Sequence, residues 1–525
     1  MEAACIRQTE IPHASRLFTD FSYHFDRVSR FYAHRPRDPE SVRAAAASID
    51  YPDDRREALV RALRRQNGDS SGLNLLAQRG TVAVVTGQQV GLFSGPAYTM
   101  YKALTAAKVA AQLTEQGIPA VPVFWLATED HDLAEVDHCW AFGPDHQPVG
   151  LKSEAAADGQ RPVGQIALDS IPTAGLRQLL AEFPFGDRIS GIVEAAYRPG
   201  ATLGDAFRSL MEALLGKFGL VYLDPLAEDI RAIGAPFLRE AVAHAAELKS
   251  AILQRSQELH EAGYHAQVHV EPQTSLFFVL EKGRRISLKS QNGSYVSREG
   301  RYTPEQLAGA AEHLSPNALL RPVMQDYLLP TVMYIGGPAE LAYLAQSEVL
   351  YKRLLGRMPV AEHRASFTIL DARAAKLMDR YRLNWAEIYG GEAAVVDAIA
   401  DRLVPPTLRR TFEESTKEVE SALFRIGRDL SQFDPTLVAA LERSRSKILY
   451  QIAKIEKKSG REALRREARS EADAHFLAGL LFPNKHLQER LYSILPFLAK
   501  HGPELLDTIH DAINVDCPDH RVLVV

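Results

Sequence analysis

The sequence has few cysteines and no excess of basic charge, and both shortages narrow the possible functions. Only Cys5, Cys139 and Cys517 occur among 525 residues, and they form no Cys-x-x-Cys pair. A disulfide framework, a structural zinc site and thioredoxin-like redox chemistry are therefore poorly supported. The 61 Lys and Arg residues against 66 Asp and Glu leave a net charge of −5, which argues against a nucleic-acid-binding role.

Long apolar stretches are also missing from the sequence. No uninterrupted apolar run approaches the about 18 residues that a membrane span needs, and the first residues lack the basic and apolar segments of a signal peptide. We therefore predict a cytoplasmic protein without membrane contact. With 46% hydrophobic and 24% charged residues over 525 positions, the chain has the composition of a globular protein of several domains.

Short apolar runs alternate with helical patterns, which predicts an α/β core. Residues 81–85 and 121–126 are β-branched or apolar runs, and a glycine-rich loop and a helical pattern separate them. This order predicts parallel strands joined by a right-handed crossover. A second unit, with a strand over 331–335 and a helix over 339–355, extends the predicted core to about residue 375.

The segments between these two units have a mixed pattern. Residues 163–168 and 220–223 have the composition of strands, and residues 233–261 are mostly helical in pattern. The runs 277–280 and 285–288 predict a β-hairpin, because a short glycine-containing connection joins them. We expect these segments to be attached to the α/β core.

The chain after Pro406 predicts a helical hairpin. Apolar positions recur there in steps of three, four and seven, the heptad spacing of a coiled coil. Asp434 suits a helix N-cap and Pro435 suits the first helical position, so the pattern predicts two antiparallel helices that project from the core. The hairpin either packs against its own core or joins two copies of the chain, and we favour the dimer. The predicted division is residues 1–375 for the core with its N-terminal helices, 376–480 for the arm and 481–525 for a helical segment that returns to the core.

The glycine-rich loop over residues 86–96 is the first candidate binding site. It follows a strand and precedes a helix, where free backbone N–H groups and the helix dipole favour an anion. It matches neither the P-loop nor the Gly-x-Gly-x-x-Gly motif, and the alternative is a plain connection whose glycines only turn the chain. The candidate binding residues are Thr86, Gly87, Gln88, Gln89, Gly91, Ser94 and Gly95.

A group of four ionisable residues follows the next strand. These are Glu129, Asp130, His131 and Asp132. Crowded carboxylates raise the pKa of at least one of them, and a neighbouring histidine gains basicity, so the group predicts general acid–base catalysis. Binding of Mg²⁺ or Zn²⁺ is an alternative interpretation, and a solvated acidic loop is another.

Further candidates lie in the second strand–glycine–helix unit. The guanidinium of Arg321 suits a carboxylate ligand, although a salt bridge to a core aspartate is equally compatible with the sequence. Asn317 precedes it by four positions. Gly336, Gly337 and Glu340 open the following helix and extend the same predicted site.

Several motifs together resemble one known family over residues 10–515. They are Thr86-Gly87-Gln88-Gln89, Glu129-Asp130-His131-Asp132, residues 315–322, Gly336-Gly337-Pro338-Ala339-Glu340 and Leu487-Gln488-Glu489-Arg490. The chain resembles the bacillithiol biosynthesis cysteine-adding enzymes, a family of cysteine ligases. This resemblance implies a Rossmann-like core with inserted connecting segments, an antiparallel coiled-coil domain and a homodimer. The implied reaction joins L-cysteine to the amino group of glucosaminyl malate through an amide bond.

Amide formation requires an activated carboxylate, so we expect ATP as a co-substrate, with Mg²⁺ as a candidate metal. The attacking amine must lose a proton, a task that suits His131 or a neighbouring carboxylate. The side chains expected to orient the sugar malate or cysteine are Asn317, Arg321 and Glu340. A hypothetical second nucleotide contact consists of Asn484, Gln488 and Arg490, where Asn484 is a candidate cap for a terminal helix.

Two other functions are compatible with the sequence. One is a metal-dependent hydrolase that uses the cluster from Glu129 to Asp132 and would lose activity to a chelator. The other is a non-enzymatic interaction protein built around the helical arm, in which a His131→Ala variant would keep all biological function.

Overall fold

The computed structural model describes residues 5–154 and 159–525. The strands are β1 (Cys5–Ile6), β2 (Val82–Gln88), β3 (Ala120–Leu126), β4 (His138–Ala141), β5 (Val149–Lys152), β6 (Val221–Leu223), β7 (Thr274–Glu281), β8 (Arg284–Gln291), β9 (Ser294–Val296), β10 (Arg301–Tyr302), β11 (Leu314–Pro316), β12 (Thr331–Gly336), β13 (Val360–His363), β14 (Phe367–Leu370) and β15 (His520–Val524). The helices are α1 (Arg16–Tyr23), α2 (Pro39–Ala47), α3 (Asp53–Asn67), α4 (Ser71–Leu76), α5 (Tyr98–Glu115), α6 (Thr173–Leu180), α7 (Gly186–Ala196), α8 (Leu203–Leu215), α9 (Glu228–Ala243), α10 (Ala245–Glu261), α11 (Pro304–Gly309), α12 (Arg321–Leu328), α13 (Pro338–Leu354), α14 (Ala372–Arg380), α15 (Trp385–Tyr389), α16 (Glu392–Arg402), α17 (Pro406–Phe433), α18 (Thr436–Arg466), α19 (Ala468–Leu481), α20 (Gln488–Leu491), α21 (Leu495–His501) and α22 (Leu505–Ala512).

A five-stranded parallel sheet forms the centre of the molecule. Its strand order is β13-β12-β2-β3-β6, and every neighbouring pair is parallel. From β2 the chain builds outward to β3 and β6, whereas β12 and β13 are added on the other side of β2. The order therefore reverses between β2 and β12, and the predicted α/β core with parallel strands is confirmed.

Both faces of this sheet are covered, as the apolar composition of its strands requires. Along β2, Val82 and Val84 belong to a buried cluster that includes residues of α5, whereas Ala83 and Val85 belong to a cluster that includes residues of α3, α4, α9 and α13. Consecutive side chains of a strand point to opposite faces, so β2 supplies both halves of the core.

The inserted segments form a separate antiparallel sheet with the order β10-β9-β8-β7-β11. The predicted hairpin is confirmed as β7 and β8, which are longer than expected and pair next to the turn through Glu281 and Arg284. The predicted helical stretch over 233–261 is divided into α9 and α10.

The predicted strand over residues 163–168 is wrong. Val163–Gln165 is a short 3-10 helix, and Ala167 forms only an isolated bridge with Thr202. The N–H of Gly164 donates to the carbonyl of Thr128 at 3.0 Å, and a Cβ on this glycine would lie 2.4 Å from the Cβ of Thr128. The segment therefore packs over the end of β3 instead of pairing as a strand.

Two long helices, α17 and α18, form the antiparallel arm. The second helix starts at Thr436 with Pro435 at its N-cap position, one residue later than predicted. Asp434 still bonds the helix start, because its Oδ1 accepts the N–H of Thr436 at 2.9 Å. None of the side chains of α17 is fully buried, so the helix projects from the core. Helices α14 to α16 and α19, which fall in the predicted arm region 376–480 or at its edge, pack at its base.

The C-terminal segment returns to the core. Strand β15 lies between β1 and β14, antiparallel to the first and parallel to the second. Tyr492 forms a bridge to Trp140, and its carbonyl accepts the N–H of Ala97 at 2.7 Å. None of the helices in the described part of the chain is long and apolar enough to cross a membrane.

Candidate functional site

A cavity of about 760 Å³ lies at the carboxyl ends of β2, β3 and β12. This is the point where the strand order reverses, and open α/β sheets bind their ligands at such points. The predicted site residues that line the cavity are Gly87, Gln88, Gln89, Glu129, Asp130, His131, Asn317, Arg321, Gly337, Glu340 and Arg490. The two glycine turns and the acidic group thus share one cavity, as their positions after strands predict.

The acidic group divides between the cavity and the surface. Glu129 is only 6% exposed and lines the cavity with Asp130 and His131. Asp132 is exposed instead, and its Oδ1 accepts the N–H of Ala134 at 3.1 Å, which caps a short 3-10 helix. The structure therefore does not place Asp132 with the other three.

Two arginines from outside the motif hold this acidic group. Nη1 of Arg231 lies 3.2 Å from Oε1 of Glu129, and Nη1 of Arg285 lies 3.5 Å from Oδ1 of Asp130. Burial raises the pKa of Glu129, and the two guanidiniums oppose that shift only in part. Burial also acts to raise the pKa of Asp130, but Arg285 and the amide of Gln89, which donates to Oδ2 at 2.7 Å, hold it below its usual value.

His131 differs from the sequence-based expectation. Burial and the Arg285 guanidinium lower its pKa, although Asp130 acts in the opposite direction, so the predicted gain in basicity is wrong. Nδ1 of His131 lies 3.0 Å from Nη1 of Arg285. A guanidinium has only N–H donors, so Nδ1 accepts this bond and the neutral ring carries its proton on Nε2. In this arrangement His131 is a hydrogen-bond donor to the cavity.

A buried lysine connects the first glycine turn to the second. Nζ of Lys102 donates to the carbonyl of Gly87 and to Oε1 of Gln88, both at 2.9 Å, and forms an ion pair with Glu340. Burial lowers the pKa of Lys102 against the attraction of Glu340. Burial likewise acts to raise the pKa of Glu340, but Lys102 and the N–H of Gly337 bring it below its usual value. The ion pair of Lys102 and Glu340 thus links the two glycine turns.

Arg321 is held by neutral partners. Its guanidinium donates to Oε1 of Gln325 at 3.0 Å and to the hydroxyl of Tyr343 at 2.9 Å. Among the ion pairs of residues 5–154 and 159–525 there is none for Arg321, so the predicted alternative of a salt bridge to a core aspartate is wrong. The polar atoms of Asn317 are occupied by backbone groups of Ser275, Leu319 and Leu320.

The rest of the glycine-rich loop lies behind the cavity wall. Thr86 is buried and donates to the carbonyl of Ile335 at 2.8 Å, which joins β2 to β12. Ser94 is buried with a φ of 74°, and Gly95 has a φ of 64°, so this part of the chain forms a tight internal turn. Gly91 lies within the same turn, because a Cβ on it would be 3.1 Å from the Cα of Gly95. The structure does not place these residues, or the buried Gly336, on the cavity surface.

Of the three C-terminal candidates, only Arg490 reaches the cavity. Gln488 is buried and makes paired bonds with the backbone of Ile369, through its Oε1 at 2.7 Å and its Nε2 at 3.0 Å. Asn484 is exposed with a φ of 50°, and the next helix begins at Gln488, so Asn484 does not cap it. The structure therefore does not bring Asn484, Gln488 and Arg490 together at one surface.

Two family models match the chain. The N-terminal Rossmann-like domain of bacillithiol biosynthesis BshC matches residues 1–365, and the C-terminal coiled-coil domain of the same family matches residues 367–525. The chain belongs to the bacillithiol biosynthesis BshC family. The resemblance stated from the sequence motifs and the implied Rossmann-like and coiled-coil architecture are thereby confirmed.

Three relatives in the BshC family match nearly the whole of this chain. A protein of Solibacter usitatus is 53% identical over 100% of both chains, and one of Koribacter versatilis is 38% identical over 99% of both. A protein of Salinibacter ruber is 33% identical over 97% of this chain and 96% of its own. Each bears the name "Putative cysteine ligase BshC".

Three basic cavity residues of this BshC family member were missed by sequence reasoning. They are Lys102 in the interior of α5, Arg285 on β8 of the inserted sheet, and Arg364 after β13. A lysine in the first half of a mostly apolar helix next to the glycine loop was the one local signal available, since a buried lysine needs a partner. Nothing in the local sequence places Arg285 or Arg364 near the other candidates.

Over residues 5–154 and 159–525, no group of at least three His, Cys, Asp and Glu side chains is placed to hold a metal ion. Three of the four residues of the hydrolase alternative, Glu129, Asp130 and His131, contact Arg231, Arg285 or Gln89 instead.

Proposed function

We propose that the chain joins the carboxyl group of L-cysteine to the amino group of glucosaminyl malate, which forms the amide bond of bacillithiol. The proposal is supported by the BshC family membership and by the names of the relatives as cysteine ligases. The observation that carries it is a single cavity lined by both carboxylates, among them Glu129 and Asp130, and arginines, among them Arg321 and Arg490. Such a cavity suits substrates that carry both an amine and carboxylates.

Proton removal from the attacking amine is assigned to Glu129. This carboxylate lines the cavity, is buried, and has a raised pKa, which brings its proton affinity closer to that of a base working near neutral pH. Asp130 is held below its usual pKa and serves to fix Gln89 and Arg285. His131 supplies an N–H donor from Nε2 and orients the substrate.

ATP is proposed as the co-substrate. A carboxylate becomes an acyl donor only when one of its oxygens becomes a good leaving group, and ATP supplies that activation when bound. The cavity residues that fit its phosphates are Arg321, Arg490 and the first turn of α13 after Gly337. Mg²⁺ belongs to this proposal only as an ion that accompanies the phosphates.

A homodimer through the helical arm is also proposed. Eight of the nine large apolar side chains that are exposed in the described chain lie on α17 and α18, including Phe424 at 77% and Phe433 at 83% exposure. A coiled-coil hairpin with such residues on its surface suits a second copy of itself, because the identical hairpin offers the same apolar positions.

The reaction can be tested with the purified protein, glucosaminyl malate, L-cysteine and ATP. Mass spectrometry is expected to show a thiol whose mass is the sum of the two substrates less one water, formed only when ATP is consumed. The Glu129→Gln variant is the inactive comparison. Product formed without ATP consumption would contradict the proposed activation by ATP. The absence of any product would contradict the proposed ligation.

A host strain that lacks the gene provides an independent measurement. Bacillithiol is expected to be absent while glucosaminyl malate accumulates, and the wild-type gene restores the thiol. Normal amounts of bacillithiol in a strain complemented with the Glu129→Gln variant would favour the non-enzymatic alternative. Hydrolysis that stops on addition of a chelator, without amide formation, would favour the hydrolase.

A further inference from the structure

Arg364 and Glu489 form a buried ion pair on the cavity wall. Nη1 of Arg364 lies 3.0 Å from Oε2 of Glu489, and Nη2 lies 2.6 Å from Oε1, so the two side chains face each other end to end. Arg364 is 2% exposed and Glu489 is 1% exposed. Both terminal nitrogens of the arginine are therefore committed to one carboxylate.

Other groups fix the position of Glu489 itself. Its Oε2 accepts the N–H of Phe367 at 3.0 Å, and its Oε1 accepts the hydroxyl of Ser366 at 2.9 Å. Glu489 belongs to α20, whereas Phe367 begins β14, so the carboxylate joins the C-terminal segment to the strand that follows the cavity. The guanidinium of Arg364 consequently has one fixed orientation.

The remaining nitrogen of Arg364 has no partner. Nε is buried, and within the described residues no acceptor lies in hydrogen-bond distance of it. A Cβ built on Gly337 would lie 3.8 Å from this Nε, and Gly337 and Arg364 both line the cavity. Buried donors are almost always paired in folded proteins. An unpaired guanidinium N–H beside a cavity indicates an acceptor that arrives with the ligand.

Two further donors lie on the same wall. The Arg490 guanidinium lines the cavity, and among the described residues it forms no ion pair or side-chain hydrogen bond. Ala339 also lines the cavity in the first turn of α13, where backbone N–H groups have no partner within the helix. The neighbouring Gly337 N–H is already taken by Oε2 of Glu340 at 2.8 Å.

We propose that Arg364, positioned by Glu489, and Arg490 together bind an oxyanion group of the substrate, either a carboxylate or a phosphate. This inference rests on the proposed function, whose substrates carry both groups: the carboxylates of glucosaminyl malate and the phosphates of ATP. Arg364 contributes Nε–H and Arg490 contributes its guanidinium, while Glu489 acts only through Arg364 and is a positioning residue. Glu129 and Asp130, which line the same cavity, are left for the amine.

Binding to the full-length protein tests the subsite without turnover. Isothermal titration calorimetry with malate and, separately, with inorganic pyrophosphate is expected to show binding of one of the two probes, which identifies the source of the oxyanion. Arg490→Gln should weaken that binding about tenfold or more, and Arg490→Lys should weaken it less, because the charge remains while the planar fork is lost. Arg469→Gln, at an exposed arginine of α19, is the matched control.

Steady-state kinetics then separates positioning from folding. Glu489→Gln keeps the size of the side chain and removes the charge, and it should raise the KM of the substrate that carries the bound group about tenfold, with the other KM values unchanged. The control Glu471→Gln lies on the surface of α19. A purely structural role would lower the melting temperature and leave that KM alone. If Glu489→Gln does not fold, Arg490→Gln decides the question by itself.

The outcomes distinguish this inference from the proposed function. It is overturned if neither probe binds the wild-type protein, or if Arg490→Gln binds both probes as the wild type does. Loss of probe binding in the variant, combined with a wild-type protein that makes no amide, would keep the subsite and reject the ligation. Amide formation by the wild type, combined with unchanged probe binding in Arg490→Gln, would keep the ligation and reject the subsite.

Discussion

Nη1 of Arg285 lies 3.0 Å from Nδ1 of His131 and 3.5 Å from Oδ1 of Asp130. One guanidinium from the inserted sheet therefore contacts two neighbouring residues that follow a core strand. It acts to lower the pKa of both, by repelling the proton on His131 and by attracting the charged form of Asp130. The inserted segment thus contributes a charge to the site, and replacing Arg285 should change the pKa of His131.

The Arg285→Gln variant should raise the pKa of His131. Loss of the positive charge leaves Asp130 as the closest charged neighbour, and an adjacent carboxylate favours the imidazolium. The measurement is an NMR titration of the His131 ring in the wild type and the variant. Arg301→Gln, at an exposed position on β10 of the same sheet, is the control. An unchanged or lower pKa for His131 in Arg285→Gln would contradict the assigned contact.

The Glu129→Gln and His131→Gln variants should lose different amounts of activity. Glu129→Gln removes the proposed proton acceptor and should lower kcat by about 10²- to 10⁴-fold. His131→Gln keeps an N–H donor and should cost about tenfold or less, since only an orienting bond is altered. Arg231 loses its ion-pair partner in Glu129→Gln, so circular dichroism should confirm that this variant is folded.

The pH dependence of kcat/KM tests the assignment of Glu129 as the base. A base acts in its deprotonated form, so activity should rise as the pH increases through the raised pKa of Glu129, and this limb should be absent from the residual activity of Glu129→Gln. The assignment fails if Glu129→Gln keeps the limb while His131→Gln loses it.

The sequence predicts the parts of this site that lie next to strand ends, because the carboxyl ends of parallel strands meet at one edge. Gln88, Glu129 and Gly337 were found in this way. Arg285 and Arg364 were not, since each reaches the cavity only through contacts between segments far apart in the chain, and local periodicity carries no information about such contacts. Likewise, the turn around Gly95 has the composition of a ligand loop, and only the packing shows that it is internal.

The buried pair of Lys102 and Glu340 predicts strong coupling between two substitutions. Lys102→Met leaves the carboxylate of Glu340 without its cation, and the loss of one partner of a buried ion pair costs about 3–5 kcal/mol of unfolding free energy. The double variant Lys102→Met/Glu340→Gln should recover part of that loss, because no uncompensated charge remains. Urea unfolding of the four proteins measures the coupling. Additive losses would show that the two side chains do not interact.

The arm predicts a dimer that charged substitutions should weaken. Phe424→Glu/Phe433→Glu places two carboxylates at the most exposed apolar positions of α17 and should convert a dimer to a monomer in analytical ultracentrifugation, with little change in thermal stability. Ser415→Glu/Ser444→Glu adds the same charge at exposed polar positions of the arm and is the control. A wild-type protein that is monomeric at micromolar concentration would remove the proposed homodimer.

His520 predicts a loss of stability in mild acid. Its ring is fully buried, with Nδ1 2.6 Å from Oγ of Ser366 and Nε2 2.8 Å from Oγ1 of Thr368. Burial lowers the pKa of His520 to about 4 in the folded protein, even though Glu489 opposes that shift. The unfolded chain titrates near the ordinary value of 6.5, so between these two pH values it binds more protons than the folded chain.

The unfolding free energy should therefore fall as the pH decreases from about 6.5 towards 4, at a rate approaching about 1.4 kcal/mol per pH unit for this group. His520→Gln cannot take up the proton and should have a shallower slope, although His146, with a pKa of about 4, retains part of it. Urea titrations at several pH values measure both slopes, and His486→Gln at an exposed position is the control. Equal slopes for the wild type and His520→Gln would show that this ring does not stay neutral in the folded protein.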